Sequence, residues 1–230
     1  MSDPKPTTSA GDSDIPVVEV KLPRPGIRSV PGHLIACLLS AGLLSLAFPE
    51  PGWSWLAHIA LVPMGLLSLR SERLRTLAWT SYLMGAVWWL VILRWIIPVS
   101  YGGYAVLSLY MAIYWPWALL WSRYLSRKYH LPMVIALPVA WVSLEWVRGY
   151  FMAGGFGWFM LGHSQAPYLP EHGASRLIQS ADLFGEWTVS IIVAMTNGRS
   201  AGDDGPVALG ELTGAMLDLM WTRLDEGGTP

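Results

Sequence analysis

Residues 76–97 read TLAWTSYLMGAVWWLVILRWII, an apolar run in which Arg94 is the lone formal charge. At about 1.5 Å of rise per residue, a helix of this length reaches roughly 30 Å, the thickness of a bilayer's hydrocarbon core. Lipid offers no partners to free backbone groups, so the segment must be a helix. Working outward, similar runs occupy 31–48, 53–69, 104–121, 132–147 and 178–196. Turn-forming or charged segments separate them: Phe48-Pro49-Glu50-Pro51-Gly52, then the loop with Arg70, Arg73 and Arg75, then Pro98 to Gly103, then Arg123, Arg127 and Lys128. The expected fold class is all-α, a polytopic membrane helix bundle of about six spans over 29–197. A flexible cytoplasmic tail (1–28) precedes it and a short polar tail (198–230) follows. In the latter, Leu209, Leu212, Met216, Leu219 and Leu224 have helical spacing, which predicts one amphipathic helix over 207–224, weakened by Gly210 and Gly214.

Composition agrees with this reading. Of 230 residues, 53% are hydrophobic and 13% charged, against about 25% charged in an average globular domain. Mean hydropathy is +0.40. These values exclude a disordered chain, a nucleic-acid-binding protein and an ordinary soluble enzyme. The net charge of −1 favours neither an acidic nor a basic partner. Cys37, the single cysteine, lies among Ala36, Leu38 and Leu39, so the sequence holds no intramolecular disulfide and no activated thiol. The spacing of His163, His172 and Glu171 matches no zinc site. No Ser-His-Asp order, phosphate loop or nucleotide fingerprint occurs, so no metal or cofactor is assigned.

The basic residues alternate by side. Lys21, Arg24 and Arg28, then Arg70, Arg73 and Arg75, then Arg123, Arg127 and Lys128 share one side, while the turns at 49–52 and 98–103 carry no Lys or Arg. The positive-inside rule then predicts a cytoplasmic N-terminus and places 149–175 outside. Of the 14 tryptophans, all but Trp221 fall between Trp53 and Trp187. Trp53, Trp55, Trp95, Trp121 and Trp146 sit near span ends, as in an aromatic belt. Trp88-Trp89 and Trp115-Pro116-Trp117 lie deeper, where helix packing and the wall of a lipid cavity are both open readings.

Chemistry concentrates after the fifth span. Glu145 and Arg148 share a helix face at its outer end, and ionisable groups at membrane depth are costly. Two readings stay open: an ion pair anchoring the helix end, or groups that orient a polar head group or a neighbouring domain. Gly154-Gly155-Phe156-Gly157-Trp158 and Leu161-Gly162-His163-Ser164-Gln165 follow, irregular backbone that must be buried in protein or line a cavity. The candidate substrate-binding residues are Glu145, Arg148, Trp158 and Gln165, with no catalytic residue assigned. His58, inside the second span, is expected to be hydrogen-bonded packing, and Arg94 to snorkel. Asp182 and Glu186, four apart, are expected to favour the start of the sixth span through its dipole.

Phe48-Pro49 with Gly52-Trp53, Pro138-x-x-Trp141-x-x-x-Glu145-x-x-Arg148, Gly155-Phe156-Gly157-Trp158, Leu161-Gly162-His163-Ser164-Gln165 and the block from Leu177 to Gly185 with Val189, Ser190 and Asn197 together resemble the bacterial apolipoprotein N-acyltransferases. The likeness covers about 29–197. It departs at Gly157, where the family commonly has proline. The resemblance implies an inner-membrane protein with phospholipid and lipoprotein as partners, the acyl chain passing from the former to the N-terminal cysteine of the latter. It also implies a nitrilase-like domain outside the cytoplasm, with a Glu-Lys-Cys triad and a thioester intermediate. No position here matches that triad, Cys37 belonging to the first span. A truncated, split or frame-shifted product is therefore expected, with a separate nitrilase-like chain as a conceivable partner. The competing reading is a non-enzymatic lipid-binding or scaffolding membrane protein. A small-solute transporter is weaker, because no inverted repeat or paired broken helices are evident.

Overall fold

The structure is a computed structural model that describes residues 26–48, 52–150, 155–166 and 176–202. The turn at Pro49 to Pro51, Gly154, Glu171, His172 and the proposed helix at 207–224 lie outside the described residues, as does most of 1–28.

Helix α1 (Val30–Ala47) starts at Ser29, whose hydroxyl accepts the Gly32 N–H, with Pro31 in the first turn where its missing N–H costs nothing. The next apolar segment is broken. A 3₁₀ turn (Ser54–Leu56) leads into α2 (Ala57–Ala60), and α3 (Val62–Arg70) follows after Leu61. Pro63 sits at the start of α3 and cannot donate backward. Asn197 closes the break: its carbonyl accepts the Leu61 N–H at 2.7 Å and its amide donates to the Ala57 carbonyl at 2.7 Å. Helix α4 (Leu74–Ile92) runs into a 3₁₀ turn (Leu93–Ile96). Helices α5 (Tyr101–Ala112) and α6 (Tyr114–Tyr129) follow almost end to end, and then α7 (Met133–Tyr150), which contains Pro138. After an irregular strap (155–166), a 3₁₀ turn (Arg176–Ser180), short α8 (Ala181–Phe184) and α9 (Glu186–Ala201) complete the described chain.

The fold is all-helical, and among the described residues the only β pairing is the isolated bridge between Ile27 and Ser71. Among the described residues, three helices are long and apolar enough to cross a membrane, Val30–Ala47, Leu74–Ile96 and Tyr101–Tyr129, with Ser54–Arg70 a shorter apolar helix. Leu44, Leu61, Met64, Leu67, Leu77, Met111, Leu119 and Leu137 fill the interior. Large apolar side chains also face outward, Leu39, Trp79, Leu83, Val87, Val91 and Trp117 among them. A water-soluble surface rarely presents so much apolar area, whereas a lipid-facing one requires it. Helix α7 packs on α6 and α9. At Gly198 of α9 a Cβ would stand 2.2 Å from the Met133 carbonyl oxygen of α7, so only glycine fits.

Several expected boundaries move. The fourth span does not end at 121: α6 continues to Tyr129, so Arg123, Arg127 and Lys128 belong to its last turns rather than to a loop. Their position has a structural cause. Buried Arg123 donates to the Ser68 carbonyl at 2.6 Å and Arg127 to the Leu69 carbonyl at 3.1 Å, closing the carbonyl end of α3. At the same end Arg28 pairs with Glu72, and the Ile27 N–H donates to the Arg70 carbonyl at 2.8 Å. The sixth span is interrupted at Gly185 (φ 68°), so Asp182 and Glu186 start two different helices.

Candidate functional site

The C-terminal half of α7 carries the polar chemistry, and the strap is what it holds. Glu145 and Arg148 are each 4% exposed. One carboxylate oxygen, Oε1, accepts the Trp141 indole N–H at 2.9 Å and the Leu161 backbone N–H at 2.7 Å. The Arg148 guanidinium donates to the Trp158 carbonyl at 2.9 Å and the Phe159 carbonyl at 3.2 Å, and lies 5.4 Å from the Trp89 ring centroid. Among the described residues these two charges form no direct ion pair with each other. Instead both act as clamps on strap backbone, so the anchoring they supply differs from the simple helix-end pair that their spacing suggests.

The strap is shaped for that clamp. Gly155 (φ 87°) folds back on α7: a Cβ there would meet the Gly149 carbonyl at 2.2 Å, and the next residue's N–H donates to the Arg148 carbonyl at 2.8 Å. Phe159 has φ 58°, a left-handed conformation that costs a bulky residue of order 1–3 kcal/mol. Two features maintain it: the Arg148 bond to its carbonyl, and its ring wedged edge-on against Phe48, Trp88 and Trp89 at 5.4, 6.5 and 6.2 Å between centroids. Farther along, the Gly162 N–H donates to the Ser190 hydroxyl at 2.8 Å, and His163 pairs with Glu186 in the first turn of α9. Gln165 is buried and donates to the Ser54 carbonyl at 2.9 Å, tying the strap to the turn before α2.

Beneath the strap is a hollow lined by Phe48, Trp88, Trp89, Tyr114, Trp115, Trp141, Glu145, Arg148 and Phe159, with Leu44, Ala118, Leu144 and Leu161 completing it. Of the deep tryptophans, Trp88, Trp89 and Trp115 are core side chains, as the packing reading expects, and they also line the hollow. Trp117 is the exception, facing outward. Trp158 is 59% exposed and does not line the hollow; its ring lies tilted beside that of Trp95, 5.4 Å between centroids. Of the four predicted substrate-binding residues, Glu145 and Arg148 therefore meet at the hollow, Trp158 gives the clamp its backbone carbonyl while its side chain lies exposed away from the lining, and Gln165 anchors the far end of the strap. Phe159 and Trp89 were not among them; Phe159 had no sequence signal, since its importance lies in a backbone angle. Buried Cys37 sits within α1, and His58 bonds to the Thr196 hydroxyl at 3.1 Å, as packing.

A buried aromatic hollow roofed by irregular backbone, among helices long enough to cross a bilayer, defines a helical membrane protein. The model of the apolipoprotein N-acyltransferase N-terminal domain matches residues 40–199, which include every residue of the hollow and strap. The chain belongs to that family. It is 32% identical to the apolipoprotein N-acyltransferase of Geobacter metallireducens over 91% of this chain and 44% of that protein. For the Rhodopirellula baltica enzyme the identity is 34% over 68% of this chain and 28% of the relative, and for that of Vibrio vulnificus 30% over 57% and 28%. The chain thus spans less than half the length of these relatives.

Proposed function

We propose that this chain is the membrane part of a bacterial apolipoprotein N-acyltransferase, supporting transfer of an acyl chain from phospholipid to the N-terminal cysteine of a lipoprotein. The observation that carries the reading is the strap clamped by Glu145 and Arg148 over an aromatic hollow, within the segment that matches the family. In this reading the bundle crosses the bacterial inner membrane about six times, with the Arg-rich end in the cytoplasm and the strap outside. Exposed Trp95 and Trp158, at the strap, contact the amphiphile, an indole pair suited to the interface between acyl chain and head group. Glu145, Arg148 and Gln165 act as positioning residues, fixing where the strap stands.

The acyl-transfer nucleophile does not come from this sequence, because Cys37 is its one cysteine and is buried in α1. The test is reconstitution of the 230-residue chain in nanodiscs with phospholipid and a diacylated lipopeptide. Saturable lipopeptide binding, weakened by Trp158→Ala, is expected, without thioester or triacylated product. Turnover by this chain alone would overturn the division of labour. Binding of unrelated amphiphiles with equal affinity would favour a general lipid scaffold instead.

A further inference from the structure

At the end of the bundle opposite the strap, cations gather without counter-ions. Helix α4 runs from Arg73, its N-cap, into the 3₁₀ turn where Trp95 lies beside Trp158 of the strap, so the two ends of α4 mark the two ends of the bundle. Arg73 and Arg75 at the start of α4 are exposed, as are Arg127 and Lys128 in the last turn of α6. The bond from Arg127 to the Leu69 carbonyl brings α6 to the end of α3, beside Arg70 and the short link to α4. Among the described residues Glu72 is the one carboxylate at this end, and Arg28 already pairs with it. The other three, Glu145, Asp182 and Glu186, lie at the strap end, Glu145 and Glu186 bonded to the strap itself. Buried Arg123 has only the Ser68 and Leu69 carbonyls, and the carbonyl end of α3 offsets about half a charge. Arg73 and Arg75 stand where a helix dipole disfavours cations, so helix stability does not account for them.

What continues from these cations is apolar. On α4, Arg75 is followed at steps of four by Trp79, Leu83, Val87 and Val91, all exposed. On α6, Lys128 is preceded by Tyr124, Trp121 and Trp117, likewise exposed. The Lys128 ammonium donates to the Tyr124 hydroxyl at 2.6 Å and lies 5.0 and 5.6 Å from the ring centroids of Tyr124 and Tyr129, which holds it where the apolar ridge meets water. We propose that this end is a docking surface for anionic phospholipid headgroups, the phosphate lying against Arg73, Arg75 and Lys128 and the acyl chains along the ridges of α4 and α6. The shape of the surface selects that occupant. A soluble polyanion would match the cations and leave the ridges uncovered, whereas a zwitterionic lipid would cover the ridges and bring a cation of its own with each phosphate. The surface is separate from the strap: Leu74–Ile96 has 23 residues, so about 30 Å of helix lies between them. The inference rests on the bundle crossing a bilayer and not on acyl transfer, and it holds whichever leaflet the basic end meets.

The test is spin-label electron paramagnetic resonance on the full chain reconstituted in phosphatidylcholine bilayers, the label carried on phosphatidylglycerol or on phosphatidylcholine. At low salt, phosphatidylglycerol is expected to be favoured at the protein by about five-fold, the equivalent of one Lys or Arg acting at a charged surface. Raising the salt to about 0.5 M should bring that preference towards one, because exposed charges are then screened. The combined variant Arg73→Gln, Arg75→Gln, Lys128→Gln should lose the preference at low salt while keeping the native number of motionally restricted lipids, which shows that the bundle is intact. Arg94→Gln, which removes an exposed cation from the strap end, should leave the preference unchanged. Equal association of the two lipids with the native chain at low salt would overturn the proposal, as would a preference indifferent to salt. So would a preference that survives in the folded triple variant, or one that Arg94→Gln abolishes as completely.

Discussion

Replacing Glu145 by alanine tests the clamp most severely. Oε1 serves two buried donors, the Trp141 indole and the Leu161 N–H, and both lose their acceptor. Hydrogen bonds between helices in a bilayer average about 0.6 kcal/mol and reach about 1.7, because the unfolded chain also finds partners there, so the two bonds account for about 1–3 kcal/mol. The charge adds to this. Arg148 is 4% exposed and would lose the only carboxylate on α7; since the two charges make no direct ion pair, the about 3–5 kcal/mol that breaking a buried pair costs in soluble proteins is an upper bound here. The two terms overlap, so Glu145→Ala is expected to cost at least about 1 kcal/mol and up to about 5 kcal/mol. Glu145→Gln, which keeps an acceptor oxygen but no charge, should cost less, and Glu145→Gln with Arg148→Gln should be milder than the sum of the singles by about 1 kcal/mol or more. Reversible unfolding in mixed micelles, followed by circular dichroism, supplies the free energies. Protease cleavage within 155–166 would report whether the strap is released first. If Glu145→Ala changed stability by less than about 0.5 kcal/mol, or if alanine and glutamine were equivalent and additive with Arg148→Gln, the clamp would be refuted.

The remaining expectations follow from individual contacts. Gly198→Ala sets a Cβ 2.2 Å from the Met133 carbonyl, so α7 and α9 must part; a loss of about 1–3 kcal/mol or more in the same unfolding assay is expected. Asn197→Leu frees the Leu61 N–H and the Ala57 carbonyl at the break between α2 and α3, and hydrogen exchange at Leu61 should accelerate, with about 1–3 kcal/mol lost. His163→Gln removes a pair whose side chains are 38% and 39% exposed, and stability should change by less than about 1 kcal/mol. A reporter fused after Ala166 should read as outside the cytoplasm if the basic end faces inward, and a cytoplasmic signal would reverse the proposed orientation.

The helical class was legible because periodicity and length are local properties: 76–97 is long, apolar and nearly uncharged, and α4 with its 3₁₀ extension occupies it. What sequence missed was set by tertiary contacts. Arg123 looks like loop charge, yet it lies inside α6 because its guanidinium reaches across to the Ser68 carbonyl. The second apolar run looks continuous, yet Pro63 breaks it and the distant Asn197 makes the break tolerable. At the site, Glu145 and Arg148 were legible as an ionisable pair ending an apolar run, and the glycines nearby signalled irregular backbone. The partners of those charges were not legible, because they are main-chain groups at 158, 159 and 161, and main-chain groups leave no mark in residue identity. Phe159 illustrates the same limit, since its left-handed backbone arises from the fit of its ring among Phe48, Trp88 and Trp89.

The most direct measurement puts residues 40–199 of this chain in place of the matching segment of the Geobacter metallireducens relative and assays N-acylation of a lipoprotein by the chimera in a strain depleted of its own enzyme. If the bundle, hollow and clamped strap form the membrane part of the acyltransferase, the chimera produces triacylated lipoprotein and sustains growth, and Arg148→Gln within it lowers that yield. A chimera that inserts stably into the membrane yet leaves the lipoprotein diacylated would contradict the account.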